Sequence, residues 1–307
     1  MVYFDDNLTE AQATTTGQET AYALINSLIG RYKFNYTGNT NHYTNWGSGN
    51  NPPAIKHVYK DADLGSDCST ATLTQTSGAS GIVRAFLVWE TRAKAPTQEV
   101  FFVGPGKSAW IKPAYAVNDL RENGGKSYQT MYCMAADVTG VVQQWGYGTY
   151  TVANIPYFTL GDGGDTGGGE SPGSWQLIVV EQGNDFPVRA LSLGMMSRYK
   201  QDVPLEASIS FANGIKTKAS GNVTGQFFFG ASCANDYVMT ENIAAYNSSG
   251  AYIGTAVSNK TPSAGLYRNG ALVNSRDFGR SEQNANYNRG SIRMDLSDVS
   301  NIGNNAT

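Results

Sequence analysis

From about residue 33 onward, the chain is a series of short runs of strand-forming residues separated by turn residues, with no helical period between them. Valine, threonine and aromatic residues suit a pleated, half-buried surface, and glycine and asparagine adopt the backbone conformations of tight turns. This spacing is typical of a β-sandwich or jelly roll. We therefore predict an all-β fold, with strands over residues 82–91, 99–103, 128–136, 149–155, 175–181, 188–195, 206–211, 224–230, 237–241 and 291–296.

Two segments of the chain depart from this regular pattern. The run from Trp175 to Val180 is too continuously apolar for a sheet with one wet face, so it predicts a central strand covered on both faces. Trp89 and Trp175 are therefore predicted to be core residues. Residues 35–53 are rich in Asn, Gly, Thr and aromatics, which predicts a long surface segment or an irregular hairpin.

One short amphipathic helix is predicted near the N-terminus. The sequence from Thr16 to Glu19 reads as a capping box, in which a hydroxyl and a carboxylate satisfy orphan amides at a helix start. Apolar residues then recur at helical spacing, which predicts a helix over residues 18–29 that ends at Gly30 and packs on the sheet: Ala21, Leu24, Ile25, Leu28 and Tyr32.

We expect residues 1–54 to pack on a β-sandwich formed by residues 55–307, as one continuous domain. The glycine-rich stretch 161–169 is interpreted as a loop within that domain, because strongly apolar strands flank it closely. The Met1 end lacks the basic and apolar regions of a signal peptide, so we expect a mature fragment without its export signal and anchor.

Composition excludes some classes of function. Charged residues make up 15% of the chain, the formal net charge is -3, and Lys and Arg are scattered singly. No basic stripe is present to neutralise phosphates, so we expect no nucleic-acid partner. The sequence contains no apolar run of about 18 residues, so we expect no direct membrane insertion of this segment.

Motifs for nucleophilic catalysis and phosphate binding are weak. The two histidines, His42 and His57, lie in an Asn-, Gly- and Pro-rich segment without a nucleophile elbow nearby, which favours exposed loop histidines. Residues Gly104 to Ser108 lack the glycine spacing of a phosphate loop and carry a proline where an amide donor is needed. They are predicted to form a hairpin turn.

An acidic cluster leaves two interpretations open. Asp61, Asp63 and Asp67 place several carboxylates in one turn, and Ca²⁺ takes oxygen ligands from flexible loops of this kind. The spacing is not that of an EF-hand, so the alternative is a solvated acidic turn without a metal. Calcium is the only cofactor that the sequence suggests.

The roles of three other side chains each have more than one interpretation. Glu90 and Glu181 each end an apolar strand, so they are either strand-end charges, glycosidase acids, or catalysts of an intramolecular Lys–Asn amide bond. Cys133 lies mid-strand among apolar neighbours and is predicted to be a buried thiol. The alternative is a Cys–Gln thioester, for which the expected glutamine pattern is not evident.

A series of motifs resembles the amino-terminal β domain of large Gram-positive-type bacterial surface proteins and adhesins, the kind that precede DUF11-type repeats. The motifs occur in the same order as in that family, over roughly residues 55–300: Ala136 to Val142, Gly148 to Ile155, Ser174 to Glu181, and Phe186 to Leu191. The run from Val83 to Trp89 is similar to the family's "A-x-L-x-W" strand. The resemblance implies display on the bacterial cell surface, a role in adhesion or assembly, and no catalytic residues.

Three functions follow as hypotheses. The first is a non-enzymatic adhesin that binds a host or cell-surface glycan or protein through exposed aromatic residues: Tyr43, Trp46, Trp145 and Tyr147. The second is a filament subunit that binds copies of itself by strand complementation. The third is a glycoside hydrolase that uses Glu90, Glu181 or an aspartate.

Overall fold

The computed structural model describes residues 9–10, 21–45, 54–57, 59–61, 66–93, 99–120, 130–156, 173–196, 223–234, 241–246, 252–258, 265–268, 271–275, 279–280 and 291–302. These residues form β-strands and one short helix, so the all-β prediction is confirmed. The predicted strands that fall within them are all present. The strand predicted over 206–211 lies outside the described residues, and so do residues 237–240 of the strand predicted over 237–241.

The described residues up to Met196 contain thirteen strands and the helix. In chain order they are β1 (Thr9–Glu10), β2 (Ala21–Asn45), β3 (Ala54–His57), β4 (Tyr59–Asp61), β5 (Ser66–Leu73), β6 (Gly81–Ala93), β7 (Val100–Gly104), β8 (Lys107–Ile111), β9 (Tyr115–Leu120), β10 (Thr130–Asp137), α1 (Thr139–Trp145), β11 (Gly148–Ala153), β12 (Gly173–Gln182) and β13 (Val188–Met196).

Two sheets enclose the main core. The large sheet has the strand order β1-β9-β10-β6-β12-β2-β13, with β3 also paired to β2, and the small sheet has the order β4-β5-β11-β7-β8. Trp89 and Trp175 lie directly opposite each other in the large sheet and are completely buried. Phe102 and Tyr150 of the small sheet belong to the same buried cluster. The prediction that both tryptophans are core residues is confirmed.

The large sheet is also covered on its outer face. β2 is long enough to pair with β12 over residues 32–42 and with β13 over residues 21–31. Its first half and β13 pack over the outer face of the sheet, where Ile25 and Leu193 join a second buried cluster with Phe86, Cys133 and Ile178. Residues 173–181 of β12 are consequently all buried, as the apolar run predicted.

The helix predicted over residues 18–29 is wrong for its described part, because residues 21–29 belong to β2. The pairing of β2 with β13 is irregular: Leu191 faces Leu28 and Leu193 faces Ile25, so β2 advances three residues while β13 advances two. Such a bulge brings apolar residues three apart onto the same side of a strand. The chain therefore shows helical spacing without a helix, and the short helix lies at Thr139–Trp145 instead.

Residues 35–53 were predicted to be a surface segment or an irregular hairpin. The surface alternative is wrong for residues 37–41, which are buried in β2. The hairpin is present, because β2 pairs with β3 from His42 opposite His57 to Asn45 opposite Ala54. Burial of asparagine and threonine here requires partners for their polar groups, which the sequence pattern did not reveal.

Residues 104–108 form the predicted hairpin turn. Gly104 pairs with Lys107, so Pro105 and Gly106 are the two central turn residues between β7 and β8. Gly106 has φ = 70°, a conformation that glycine adopts at no steric cost. Proline followed by a left-handed glycine is the preferred sequence of a type II turn.

The described residues after 222 form seven strands: β14 (Val223–Ala234), β15 (Glu241–Tyr246), β16 (Tyr252–Ser258), β17 (Gly265–Arg268), β18 (Ala271–Ser275), β19 (Gly279–Arg280) and β20 (Ser291–Ile302). They form one sheet in the order β14-β20-β19 and another in the order β15-β16-β17-β18. Throughout the described part of the chain, no helix is both long and apolar enough to cross a membrane.

Candidate functional site

The outer surface of the small sheet carries a group of uncharged side chains that we call the threonine face. Successive side chains of a strand point to opposite sides, and the inward ones here, such as Phe102, Tyr150 and Val152, fill the core. Their neighbours in sequence point outward and are exposed or half-buried. The threonine face comprises Thr70, Thr72, Phe101, Val103, Ser108, Trp110, Thr149 and Thr151.

The strand register arranges these side chains in rows across the sheet. Trp110 of β8 lies opposite Phe101 of β7. The next row runs from Ser108 through Val103 and Thr151 to Thr70. A third row pairs Thr149 of β11 with Thr72 of β5. The aromatic residues therefore lie at one corner of the face and the two exposed threonines at the opposite corner.

Trp110 is the most exposed aromatic residue of this face. Its exposed fraction is 48%, and it is one of three large hydrophobic residues in the described part of the chain that are exposed, with Ile29 and Val188. The ring centroids of Trp110 and Phe101 are 5.0 Å apart, with 47° between the ring planes. Phe101 supports one side of the indole ring, because tilted aromatic pairs at this distance attract each other.

At the threonine corner, two hydroxyl groups meet. Thr72 Oγ1 and Thr149 Oγ1 are 3.2 Å apart, and either oxygen can be the donor. Since one bond uses one of the two hydroxyl protons, the other proton and several lone pairs remain available to a ligand. Lys112 and Glu99 form an ion pair at the edge of the small sheet, with Nζ and Oε1 3.5 Å apart.

A second polar region lies inside the sandwich, along the line where β2 approaches β5. Three asparagine amides of β2 donate to main-chain carbonyls of the small sheet and the turn after it: Asn35 to Thr74 at 2.8 Å, Asn39 to Thr70 at 2.7 Å and Asn41 to Val152 at 3.0 Å. Main-chain carbonyls need such partners when they are removed from water. We call these residues the asparagine ladder, which joins the two sheets along this side.

The asparagine ladder connects to a core tryptophan. Ser69 Oγ donates to Asn41 Oδ1, and Trp175 Nε1 donates to Ser69 Oγ at 2.8 Å. The indole nitrogen of a completely buried tryptophan therefore has a hydrogen-bond acceptor. This network explains how polar residues between 37 and 41 can be buried without a large desolvation penalty.

Glu181 is completely buried next to the asparagine ladder. Its Oε1 atom accepts hydrogen bonds from Asn35 Nδ2 at 2.9 Å and from the Thr76 amide at 3.2 Å. Its Oε2 atom and the Tyr147 hydroxyl are both buried and have no well-aligned hydrogen-bond partner among the described residues. Burial raises the pKa of Tyr147 far above its usual value, and the adjacent Glu181 carboxylate raises it further.

The structure places the four predicted ligand-binding aromatic residues in different surroundings. Trp145 is half-buried and stacks on Phe102, with ring centroids 5.3 Å apart. Tyr147 also packs against the main core. Tyr43 belongs to β2, and Trp46 lies outside the described residues. A ligand-binding role for these four residues stays a prediction.

Of the predicted calcium ligands, two lie on the paired strands β4 and β5 but are not opposite each other: Asp61 is opposite Ser66, and Asp67 is opposite Lys60. Asp67 is buried in β5, Asp61 is the last residue of β4, and Asp63 lies outside the described residues. Within the described ranges, no group of three or more His, Cys, Asp or Glu residues is arranged to hold a metal ion. Calcium binding stays a prediction.

The expectation of loop histidines is wrong, because His42 and His57 are both in strands and lie directly opposite each other. Glu90 lies opposite Cys133 on β10 and opposite Ser174 on β12. Burial, with a smaller contribution from the Glu90 carboxylate, raises the pKa of the Cys133 thiol well above its usual value. Cys133 is thus a buried, protonated thiol, as predicted.

Glu90 and Glu181 do not face each other. Ser174, opposite Glu90, is seven residues from Glu181 along β12, which corresponds to roughly 23 Å at the usual rise per residue. Paired acids of glycosidases lie about 5 to 9.5 Å apart. These two glutamates therefore do not form such a pair with each other.

Comparison with family models, with curated proteins and with solved structures finds no match to this chain. The resemblance to surface-protein β domains thus rests on the sequence motifs alone. The motifs coincide with structural elements: Asp137 ends β10 and accepts a hydrogen bond from the Thr139 amide at 2.9 Å, where α1 begins. These two polar residues therefore join the end of a strand to the start of the short helix.

The threonine face is the feature that sequence reasoning missed. Part of this face could be read from the sequence, because its residues on β7 and β8 are spaced two apart on either side of the Pro105-Gly106 turn: Phe101 and Val103 before the turn, and Ser108 and Trp110 after it. Once that turn is predicted, the register of its strands follows. The threonines of β5 and β11 could not be assigned to the same surface, because their neighbours in the sheet are distant in sequence.

Proposed function

We propose that the chain is a non-enzymatic adhesion domain, displayed outside a bacterial cell, that binds its ligand through the threonine face. The observation that carries this proposal is the exposure of Trp110 beside Phe101 on a sheet surface of short, uncharged side chains. Tryptophan is enriched among the residues that dominate binding energy, because it offers a large, rigid contact area. The order of surface-protein motifs in the sequence supports the extracellular location.

The burial of the reactive groups also supports a binding role. Glu181 is completely buried, and Cys133 is nearly so. Both are occupied inside the fold, Glu181 by Asn35 and Thr76 and Cys133 by the second apolar cluster. A catalytic acid or nucleophile has to reach its substrate, so these positions favour a structural role for both residues.

The proposal is tested by adhesion of beads coated with the purified chain. Binding to bacterial cells, host cells and matrix-coated surfaces is compared between the wild type, Trp110→Ala and Ile29→Ala. Ile29 is a matched control, because it is also a large exposed hydrophobic residue, with 63% exposure, and lies on β2 outside the threonine face. We expect Trp110→Ala to reduce adhesion at least about tenfold and Ile29→Ala to leave it unchanged.

Equal adhesion by both variants would contradict the assignment of the threonine face. Absence of adhesion by the wild type to every surface would contradict the adhesion function itself. Circular dichroism and thermal unfolding establish that both variants are folded, so loss of structure does not imitate loss of binding.

A second candidate function is self-assembly by strand exchange, and the pairing of β1 favours it. β1 joins the edge strand β9 in parallel through two residue pairs, Thr9 with Tyr115 and Glu10 with Ala116. So short a strand contributes few hydrogen bonds, and an identical segment of a second copy could replace it. Size-exclusion chromatography over a range of concentrations tests this: β1 exchange predicts dimers or larger species that disappear when residues 1–10 are deleted.

A further inference from the structure

We infer that the ligand of the threonine face is a neutral, extended oligosaccharide that lies across the strands of the small sheet from Trp110 to Thr72. This inference rests on the proposed adhesion function and adds the chemical class of the ligand. It follows from three properties of the face. An aromatic ring lies at one end, hydroxyl groups with remaining hydrogen-bonding capacity lie at the other end, and the side chains between them are uncharged.

The aromatic end suits the apolar face of a sugar ring. The hydrogens on one face of a pyranose ring form a flat apolar patch, which packs on an aromatic ring. Trp110 offers such a ring, with 48% of the residue exposed. Phe101, at 5.0 Å between ring centroids, supports the indole from the side of the sheet. The Trp110 ring therefore loses little conformational entropy when a sugar packs against it.

The threonine end suits the hydroxyl groups of a sugar. Thr72 and Thr149 are exposed, and their hydroxyl oxygens are 3.2 Å apart. Together they can donate one hydrogen bond and accept others, which is the mixed capacity that a polyol requires. A hydroxyl group of the ligand would then form bonds to both residues at once.

The distance between the two ends determines the length of the ligand. Trp110, Phe101, Ala153 and Cys68 are connected by successive strand pairs, so β8 and β5 are separated by three interstrand steps. Three steps of about 4.8 Å give roughly 14 Å across the strands. Thr72 lies four residues beyond Cys68 along β5, which adds roughly 13 Å in the strand direction, so the two ends are roughly 20 Å apart. A monosaccharide cannot contact both ends, whereas an oligosaccharide of several sugar units can.

The uncharged side chains favour a neutral sugar over an acidic one. All eight side chains of the threonine face are uncharged at pH 7. Lys112, just after the edge strand β8, pairs with Glu99. Lys107, the first residue of β8, alternates with Ser108 and Trp110, so it is directed to the other side of the sheet. Sialylated, sulfated or phosphorylated glycans would thus lose hydration of their charges without gaining a basic partner.

The test measures binding of the full chain to defined glycans by isothermal titration calorimetry. Neutral oligosaccharides of one to six units, such as linear glucans, mannans and galactans, are compared with sialylated and sulfated oligosaccharides. Three variants are measured against the wild type: Trp110→Ala, the double variant Thr72→Val/Thr149→Val, and the control Val188→Ala. Threonine and valine have nearly the same shape, so the double variant removes the hydroxyl groups and retains the packing.

We expect affinity for a neutral oligosaccharide to rise with chain length and to change less than twofold between 50 and 500 mM NaCl, because no charge is neutralised. Trp110→Ala should weaken binding at least about tenfold, and the threonine double variant about fivefold or more. Val188 is 64% exposed and lies outside the threonine face, so Val188→Ala should leave the affinity unchanged.

Two results would overturn the inference. The first is binding of acidic glycans in preference to neutral ones. The second is adhesion of the wild type to cells that depends on Trp110 but is unaffected by the threonine double variant and by neutral oligosaccharides as competitors. That second result leaves the adhesion function in place and points to a protein ligand, so the two proposals fail in different ways.

Discussion

The side-chain amide of Asn35 on β2 donates a hydrogen bond to the completely buried carboxylate of Glu181 on β12 over 2.9 Å. The same amide also donates to the carbonyl of Thr74, which follows β5. One asparagine thus connects two strands of the large sheet to the end of a strand in the small sheet. Because the Glu181 carboxylate is completely buried, it depends on such donors to satisfy its hydrogen-bonding capacity, whereas the bond to the Thr74 carbonyl is exposed to solvent.

Glu181→Ala should lower the free energy of unfolding by about 2 to 3 kcal/mol, because it leaves the donors of Asn35 and Thr76 without their acceptor. Glu181→Gln retains a carbonyl oxygen in that position and should cost about 1 kcal/mol or less. Urea denaturation of the three proteins measures the difference. Equal costs for both variants would show that the acceptor at Oε1 is not what stabilises this region.

Stability should decrease at high pH through Tyr150 and Tyr147. Burial raises the pKa of Tyr150 to about 12, from about 10 in an unfolded chain. The unfolded state therefore releases protons at lower pH than the folded state, so the stabilisation is complete below about pH 10 and is lost as pH rises toward 12. The pKa of Tyr147 is raised in the same direction, first by burial.

Thermal unfolding between pH 8 and 12 checks this expectation. The double variant Tyr147→Phe/Tyr150→Phe should show a smaller decrease in melting temperature above pH 10 than the wild type. Parallel curves for the two proteins would mean that other groups cause the alkaline loss of stability.

Asn41→Ala should destabilise the fold by about 1 to 3 kcal/mol, because it removes the donor to the Val152 carbonyl and the acceptor of Ser69. Gln144→Ala is the matched control, since it truncates another side-chain amide that is exposed on α1. It should change stability by less than about 0.5 kcal/mol. Chemical denaturation of both variants distinguishes a buried ladder residue from a surface amide.

Two glycine substitutions should change the free energy of unfolding in opposite directions. A Cβ atom at Gly104 would overlap the ring of Trp145, so Gly104→Ala should cost about 1 to 3 kcal/mol. A Cβ atom at Gly140 in α1 would meet nothing within 4 Å, so Gly140→Ala should stabilise by about 0.5 kcal/mol. Melting temperatures give the sign of each change, and stabilisation by Gly104→Ala would contradict the close packing of Trp145 on β7.

Local pattern and turn chemistry predicted much of the fold. The apolar run of β12 indicated burial on both faces, and the residue composition of Gly104 to Lys107 indicated the turn between β7 and β8. Each is a property of neighbouring residues, so it can be inferred without knowing which strands pair. The same local reasoning failed at Leu24, Ile25 and Leu28, where bulges opposite β13 produce helical spacing in a strand.

The sequence by itself determined that this chain forms β-strands, where several of them begin and end, and that Trp89, Trp175 and Cys133 are buried. Only the tertiary structure decided that Asn35, Asn39 and Asn41 join two sheets, and that Thr72, Thr149 and Trp110 share one surface. The physical reason is that strand propensity and burial depend on residues that are close together in the sequence. The partners of a buried amide or an exposed hydroxyl are set by pairing between strands that are distant in the chain.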